Sequence, residues 1–157
     1  MPQKKKRDYN NDYPSVTQVL GVLRKIGLEN WFKYNTAQFC NDKSKRGREI
    51  GSQFHDAIHD YITTGEVKVS TQYVEEVTNS LKSFMQFRKD HPEFTLKSSE
   101  VTMTSEEWKC NGTLDCEAKI TRPCILDWKT GEYKWELNKK TGEMGWKYEV
   151  PPIYPEM

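Results

Sequence analysis

The chain has 157 residues and a mass of 18.5 kDa, a size typical of one domain that buries about 70% of its unfolded surface. Its apolar residues (35%) form only short runs, so we expect no transmembrane helix, and the basic start MPQKKKRDYNNDYP has no apolar stretch behind it, so we expect no secretory signal. The net charge is only +1, yet residues 1–50 hold eleven Lys and Arg against five Asp and Glu, so this third could contact phosphates or simply form a solvated surface.

Helical periodicity begins after residues 1–13, a basic segment that we expect to be a disordered tail. Ser15 is predicted to cap a first helix that ends at Gly27. The apolar residues of this helix recur at helical spacing: Val16, Val19, Leu20, Leu23 and Ile26. A second helix is indicated by the aromatic residues that follow: Trp31, Phe32 and Phe39.

Two longer helices are predicted next. The third covers residues 43–62 (KSKRGREIGSQFHDAIHDYI) and stops at Gly65. Its apolar stripe consists of Ile50, Phe54, Ile58 and Ile62. The fourth covers residues 70–90 (STQYVEEVTNSLKSFMQFRKD), and Pro92 ends it. Its stripe consists of Tyr73, Val77, Leu81, Phe84 and Phe87.

The pattern changes to strands after residue 93. An extended stretch is followed by two strand-like runs, KCNGTLDCEAKI and RPCILDW, which a turn at residues 121–123 joins. Alternating residues on both sides of NKKTGE then predict a β-hairpin: Tyr133, Trp135 and Leu137 before it, and Met144, Trp146, Tyr148 and Val150 after it. The sequence therefore predicts one α/β domain of the α+β type over residues 14–157, with a helical part (14–92) and a small mixed sheet (93–150).

The four cysteines allow two interpretations. They are Cys40, Cys110, Cys116 and Cys124. Three of them fall within fifteen residues, which leaves an iron–sulfur or zinc site open. Their spacings match no tight metal knuckle, so buried or half-buried thiols are the favoured interpretation.

The segment that carries chemistry is NGTLDCEAKITRPCILDWKTG, residues 111–131. Asp127 and Lys129 are two residues apart on a predicted strand, so both side chains point to one face. Asp115 lies on the preceding strand, and a tight turn would bring it alongside them. Two carboxylates that converge beside an ammonium group favour a hard divalent cation, Mg²⁺ or Mn²⁺. A surface ion pair on an edge strand is the alternative.

The patterns GTLDC and ILDWKTG resemble the PD-(D/E)XK nuclease superfamily, and within it the RecB-like branch of phage and recombination exonucleases. GREIGSQFHDAIHDYI resembles the G-x-x-x-H helix of that branch, with Gly51 and His55 at the matching places. PSVTQVL resembles its opening helix. LKSSEVTMTSEEWKCNGTLD resembles its first two strands, with Glu100 at a place that is often acidic. The resemblance covers residues 14–131 in matching order.

The resemblance implies a role for each matching residue. Asp115 and Asp127 would be metal ligands, together with the backbone carbonyl of Trp128. His55 would be a further metal ligand, and Lys129 would be the catalytic lysine. Glu100 is the expected additional acid. Glu117, on the same strand face as Asp115, is the alternative to Glu100, and His59 is expected to be structural.

The resemblance also implies a fold, an activity and partners. The fold would be restriction-endonuclease-like, with the active site on the sheet. The activity would be Mg²⁺- or Mn²⁺-dependent hydrolysis of DNA phosphodiesters, as an exonuclease in recombination, replication or repair, encoded by a phage. The partners would be a single- or double-stranded DNA end and a helicase, recombinase or single-strand-binding protein. We expect no membrane partner and a location in the cytoplasm, which for a viral protein is that of the host cell.

The region after the D-x-K motif departs from the branch. The branch follows this strand with a helix that carries a Gln-x-x-x-Tyr pattern, whereas residues 133–150 predict a hairpin. We therefore expect a C-terminally incomplete domain, whose activity by itself is an open question. Two rival interpretations stay open: a catalytically inactive nucleic-acid-binding relative, and an interaction protein in which D-x-K is incidental.

Overall fold

The structure is a computed structural model that describes residues 9–70, 72–131, 133–137 and 144–148. Within these ranges four helices precede the strands, which gives an α+β fold. The elements are α1 (Val16–Leu20), α2 (Ile26–Tyr34), α3 (Ala37–Thr64), α4 (Val74–Asp90), β1 (Thr95–Ser105), β2 (Cys110–Lys119), β3 (Pro123–Leu126), β4 (Tyr133–Leu137) and β5 (Met144–Tyr148). The chain divides into two compact units: residues 1–24 with 52–128, and residues 25–51 with 129–157.

The first helix begins where the sequence predicts but is shorter. The Ser15 side chain accepts a hydrogen bond from the Gln18 amide, and the Gln18 side chain accepts one from the Ser15 amide, so a capping box confirms the predicted N-cap. The prediction that this helix continues to Gly27 is wrong. Gly21 closes α1 by donating to carbonyls of the last turn, and Ile26 begins α2 instead. Two short helices therefore share the apolar spacing that predicted one.

The two long helices lie close to their predicted places. α3 starts at Ala37, before the predicted position 43, and ends at Thr64, directly before Gly65, whose φ of 79° is the left-handed conformation that favours glycine. Phe39 consequently belongs to α3 and not to α2. α4 ends at Asp90 as predicted but starts at Val74, four residues after the predicted start, with Tyr73 as its N-cap; it buries Val77, Leu81 and Phe84. No helix in the described ranges is long and apolar enough to cross a membrane.

The first unit contains a three-stranded meander in the order β1–β2–β3. β2 pairs antiparallel with both neighbours, and its residues Cys116 and Ala118 are fully buried on one face. We expected a mixed sheet, and for the described strands that prediction is wrong. Short turns connect β1 to β2 and β2 to β3, and a short turn can only reverse the chain. One isolated parallel bridge joins Ser15 to Asn111.

The predicted hairpin is confirmed in the second unit. β4 and β5 pair antiparallel, with Tyr133 opposite Tyr148 and Leu137 opposite Met144. The predicted turn at residues 138–143 and the predicted strand residue Val150 lie outside the described residues.

The chain before α1 is held against β2 by a buried asparagine. Asn111 is 2% exposed, and its amide nitrogen donates to the backbone carbonyls of Asn10 (2.8 Å) and Tyr13 (2.7 Å). Its amide oxygen accepts from the hydroxyl of Thr104 at 2.7 Å. Residues 9–13 of the expected tail therefore contact the sheet, and residues 1–8 lie outside the described residues.

We expect Asn111→Ala to lower the free energy of unfolding by about 2–3 kcal/mol, because three side-chain hydrogen bonds are lost and two backbone carbonyls lose a buried donor. Urea unfolding measures the change. Met103→Ala is the control, since Met103 lies on β1 but is 52% exposed. Equal, small losses in both variants would mean that residues 9–13 are not held by Asn111.

The cysteines of the structure are free thiols. Cys40 and Cys116 are buried, and Cys110 and Cys124 are half-buried, as the favoured interpretation predicted. Burial raises the pKa of the Cys116 thiol to about 11, with a further contribution from the neighbouring Cys124. Cys116 is therefore protonated near neutral pH, which makes it a poor nucleophile.

Candidate metal centre

Three residues from three elements of the first unit meet at one place. His55 comes from α3, Glu100 from β1 and Asp115 from β2. Each offers one ligand atom, and these atoms lie within 4.8 Å of one another. The side chains are 25%, 29% and 16% exposed, respectively, so the group is accessible from solvent yet partly desolvated. Among the described residues this is the group of potential metal ligands that the structure brings together.

The pairing of β1 with β2 sets the two carboxylates side by side. The strand pairs on both sides place Glu100 directly opposite Asp115. Glu100 has a φ of 56°, a left-handed conformation that is uncommon for a residue other than glycine and that often marks a functional site. The hydroxyl of the preceding residue, the buried Ser99, donates to the backbone carbonyl of Asp115 at 3.0 Å. The strand backbone around both acids is thus held in place.

The orientation of His55 is set by a backbone carbonyl. Its Nε2 lies 3.0 Å from the carbonyl oxygen of Trp128. A carbonyl can only accept, so Nε2 carries the hydrogen and donates it. Nδ1 then faces the acids, 3.6 Å from Oδ1 of Asp115 and 3.7 Å from Oε1 of Glu100. In the neutral ring this Nδ1 is unprotonated, which is the arrangement of a metal-binding histidine whose other nitrogen is bonded to a carbonyl.

The backbone of Trp128 connects His55 to Asp115. Its N–H donates to Oδ2 of Asp115 at 2.8 Å, while its carbonyl accepts from His55. The resemblance implied that this carbonyl is a metal ligand. In the structure it serves instead as the hydrogen-bond acceptor that orients His55.

Asp127 lies just beyond the pairing of β2 with β3. The antiparallel pairing extends as far as Cys116 and Leu126, and Asp127 follows as the first residue after β3. Asp127 is exposed, and it lies outside the 4.8 Å group found in the described part of the chain. Lys129 is also exposed and belongs to the second unit.

The alternative acid is engaged elsewhere. Glu117 accepts a hydrogen bond from Ser98 at 3.1 Å and lies 3.7 Å from Nζ of Lys97. Of the two acids considered beside Asp115, Glu100 is the one that joins the group. In the second unit, a Cβ added at Gly51 would lie 3.4 Å from Oγ1 of Thr130, so the helix passes close to the chain after the D-x-K motif at this glycine.

The group fits a hard divalent cation. Ligand atoms about 2.1 Å from a common octahedral centre lie roughly 3.0 to 4.2 Å apart. The distances from His55 Nδ1 to the two carboxylates, 3.6 and 3.7 Å, fall in that range and are too long for hydrogen bonds. Two carboxylate oxygens and one imidazole nitrogen form a donor set that suits Mn²⁺ and Mg²⁺.

Comparisons with protein-family models and with curated proteins find no match to this chain. The assignment of a function consequently depends on the residues themselves and on their geometry.

Two contributors to this centre were not predicted from the sequence. Ser99 is one of several polar residues in LKSSEVTMTS, and nothing in that pattern distinguishes it. The amide of Trp128 belongs to the backbone, so no residue type indicates it. Its position inside D-x-K, next to a predicted ligand, was the one available signal.

Proposed function

We propose that the chain is a metal-dependent DNA nuclease of the PD-(D/E)XK type, with a restriction-endonuclease-like fold and Asp115 at the centre of its active site. The observation that carries the proposal is the convergence of His55, Glu100 and Asp115, from three separate elements, on one position. Two of the three were expected metal ligands, and Glu100 was the expected additional acid. The D-x-K motif is connected to this group, because the backbone of its middle residue, Trp128, forms hydrogen bonds with both His55 and Asp115.

Glu100, Asp115 and His55 would hold Mg²⁺ or Mn²⁺. A divalent cation held there supplies a Lewis acid that lowers the pKa of a bound water and neutralises charge on a phosphoryl group. Ser99 and the Trp128 amide fix the Asp115 backbone and carboxylate before the substrate arrives. Such preorganisation matters because a site that is already in place loses no energy to rearrangement during the reaction.

The resemblance supplies the remaining roles in this proposal. Asp127, the first residue after β3, supplies a further carboxylate either to the same cation or to a second cation. Lys129 orients the attacking water and stabilises the negative charge that develops on the phosphoryl oxygens. The substrate is the phosphodiester backbone of a DNA end, and the reaction is exonucleolytic hydrolysis.

Binding of Mn²⁺ should raise the melting temperature of the wild-type protein. A ligand at about 100 times its dissociation constant adds about 2.7 kcal/mol, which for a domain of this size is roughly 5–10 °C. Asp115→Asn should remove most of the shift, since asparagine keeps an acceptor for the Trp128 amide but loses the charge. Differential scanning fluorimetry with and without Mn²⁺ measures both.

The control for this measurement is Glu117→Gln. It removes one negative charge from the same strand and the same strand face, two residues from Asp115, but outside the ligand group. Its Mn²⁺ shift should equal that of the wild type. Equal shifts in all three proteins would place the ion elsewhere and contradict the proposal. Metal binding and DNA binding without any cleavage would favour the inactive nucleic-acid-binding relative.

A further inference from the structure

The ring of Trp128 sits in an aromatic cluster that the proposed chemistry does not use. It packs edge-to-face against Phe84 (5.3 Å between centroids, 86°) and against Phe87 (6.1 Å, 72°), both on α4. Phe84 in turn packs edge-to-face against Tyr61 of α3 (5.5 Å, 83°). Phe84 is 4% exposed, so this contact belongs to the core of the unit. Edge-to-face contact is one of the geometries that aromatic pairs prefer.

The same residue therefore makes two kinds of contact. Its ring packs against α4, while its backbone N–H donates a hydrogen bond to Asp115 and its backbone carbonyl accepts one from His55. The indole Nε1 is buried and has no hydrogen-bond partner among the described residues, so packing and not a polar contact holds the ring there. Trp128 lies two residues beyond Leu126, where β3 ends, so it is not one of the residues of that strand.

We infer that Trp128 is a positioning residue of the metal centre: its ring, held by Phe84 and Phe87, fixes the backbone N–H that bonds to Asp115 and the backbone C=O that bonds to His55. The inference rests on the proposed function, and it adds a side chain to which neither the resemblance nor the ligand set gives a role. Movement of the Trp128 backbone by a fraction of an ångström would change the orientation of both Asp115 and His55. Groups that orient metal ligands typically contribute 10- to 100-fold to metal affinity.

The test compares three variants of the full chain by calorimetric titration with Mn²⁺. Trp128→Leu should weaken Mn²⁺ binding by about 10- to 100-fold. Trp128→Phe keeps a ring on Phe84 and loses no hydrogen bond among the described residues, so most of the affinity should return. Phe94→Leu is the control, because Phe94 packs against Phe87 (5.4 Å between ring centroids) in the same cluster, while its backbone carbonyl accepts a hydrogen bond from Arg88 and not from a metal ligand. Its affinity should stay at the wild-type level.

A second readout needs no metal. The amide of residue 128 is present in every variant, and its hydrogen-exchange protection reports the bond to Asp115. Protection should fall in Trp128→Leu and stay high in Trp128→Phe and Phe94→Leu. If the wild type binds no Mn²⁺, the metal-centre proposal fails, and this protection factor still decides the role of Trp128.

Either of two results would overturn the inference. One is equal loss of affinity or of amide protection in Trp128→Leu and Phe94→Leu, which would mean that general destabilisation is responsible. The other is wild-type Mn²⁺ affinity and wild-type amide protection in Trp128→Leu, which would mean that the backbone of residue 128 keeps its position without the ring.

Discussion

Asp115→Asn should lower metal-dependent DNA cleavage by about three to four orders of magnitude. Asp115 is the residue on which the contacts of the site converge: Oδ1 faces His55, Oδ2 accepts from Trp128, and the pairing of β1 with β2 sets Glu100 opposite. A cation at such a site is worth several kcal/mol of transition-state stabilisation, and every 1.36 kcal/mol is tenfold in rate. Single-turnover assays on linear single- and double-stranded DNA measure the effect.

Glu117→Gln is the matched control for this assay as well. It changes the same strand by the same loss of charge, yet Glu117 is bonded to Ser98 and close to Lys97. Its cleavage rate should stay within about threefold of the wild-type rate, which corresponds to less than 1 kcal/mol. A rate for Asp115→Asn equal to that of Glu117→Gln would remove Asp115 from the active site.

Lys129→Ala should separate metal binding from catalysis. Its ammonium repels a cation but attracts the charge that builds on the phosphoryl group, so Mn²⁺ affinity and DNA binding should be retained. Cleavage should fall by roughly two to four orders of magnitude, the usual contribution of one acid–base or electrostatic group. Titration calorimetry and the single-turnover assay, run on the same preparation, measure the two quantities.

Lys147→Ala is a suitable control for Lys129→Ala. It removes one lysine charge from the same unit, at a residue of β5 that the resemblance does not cover. If Lys129→Ala cleaves DNA as fast as Lys147→Ala, the catalytic lysine has been misassigned. The test is best repeated on any longer form of the protein that carries a Gln-x-x-x-Tyr helix, because the resemblance places part of the DNA contact there.

The parts of the fold that local patterns determine were predictable. Ser15 is the N-cap that the sequence predicted, and most of the apolar stripe residues of α3 and α4 are buried as their spacing predicts, whereas Ile62, Tyr73 and Phe87 are half-buried. The start of α3 was not predictable, because residues 41–48 are almost entirely polar and show no apolar periodicity. The contact of residues 9–13 with Asn111 was also hidden, since polar hydrogen bonds over such a sequence distance leave no periodic pattern.

The candidate site also contains residues that the sequence predicted and contacts that it did not predict. His55 and Asp115 were singled out because their residue types and spacing match a known motif. The resemblance favoured Glu100 over Glu117, whereas the residue type alone is the same at both positions. The choice depends on the register of β1 against β2 and on the left-handed backbone of Glu100, both of which are properties of the folded sheet. The role of the Trp128 backbone depends on the packing of the Trp128 ring against α4, and no local sequence pattern predicts that packing.

The most direct test of the metal centre is a crystal structure of the wild-type protein grown with Mn²⁺, with anomalous diffraction measured to locate the ion. We expect an anomalous peak coordinated by carboxylate oxygens of Asp115 and Glu100 and by Nδ1 of His55, with Nε2 of His55 still hydrogen-bonded to the Trp128 carbonyl. A peak bound by other residues, or well-ordered Asp115 and Glu100 side chains with no peak between them at saturating Mn²⁺, would contradict the proposed metal centre.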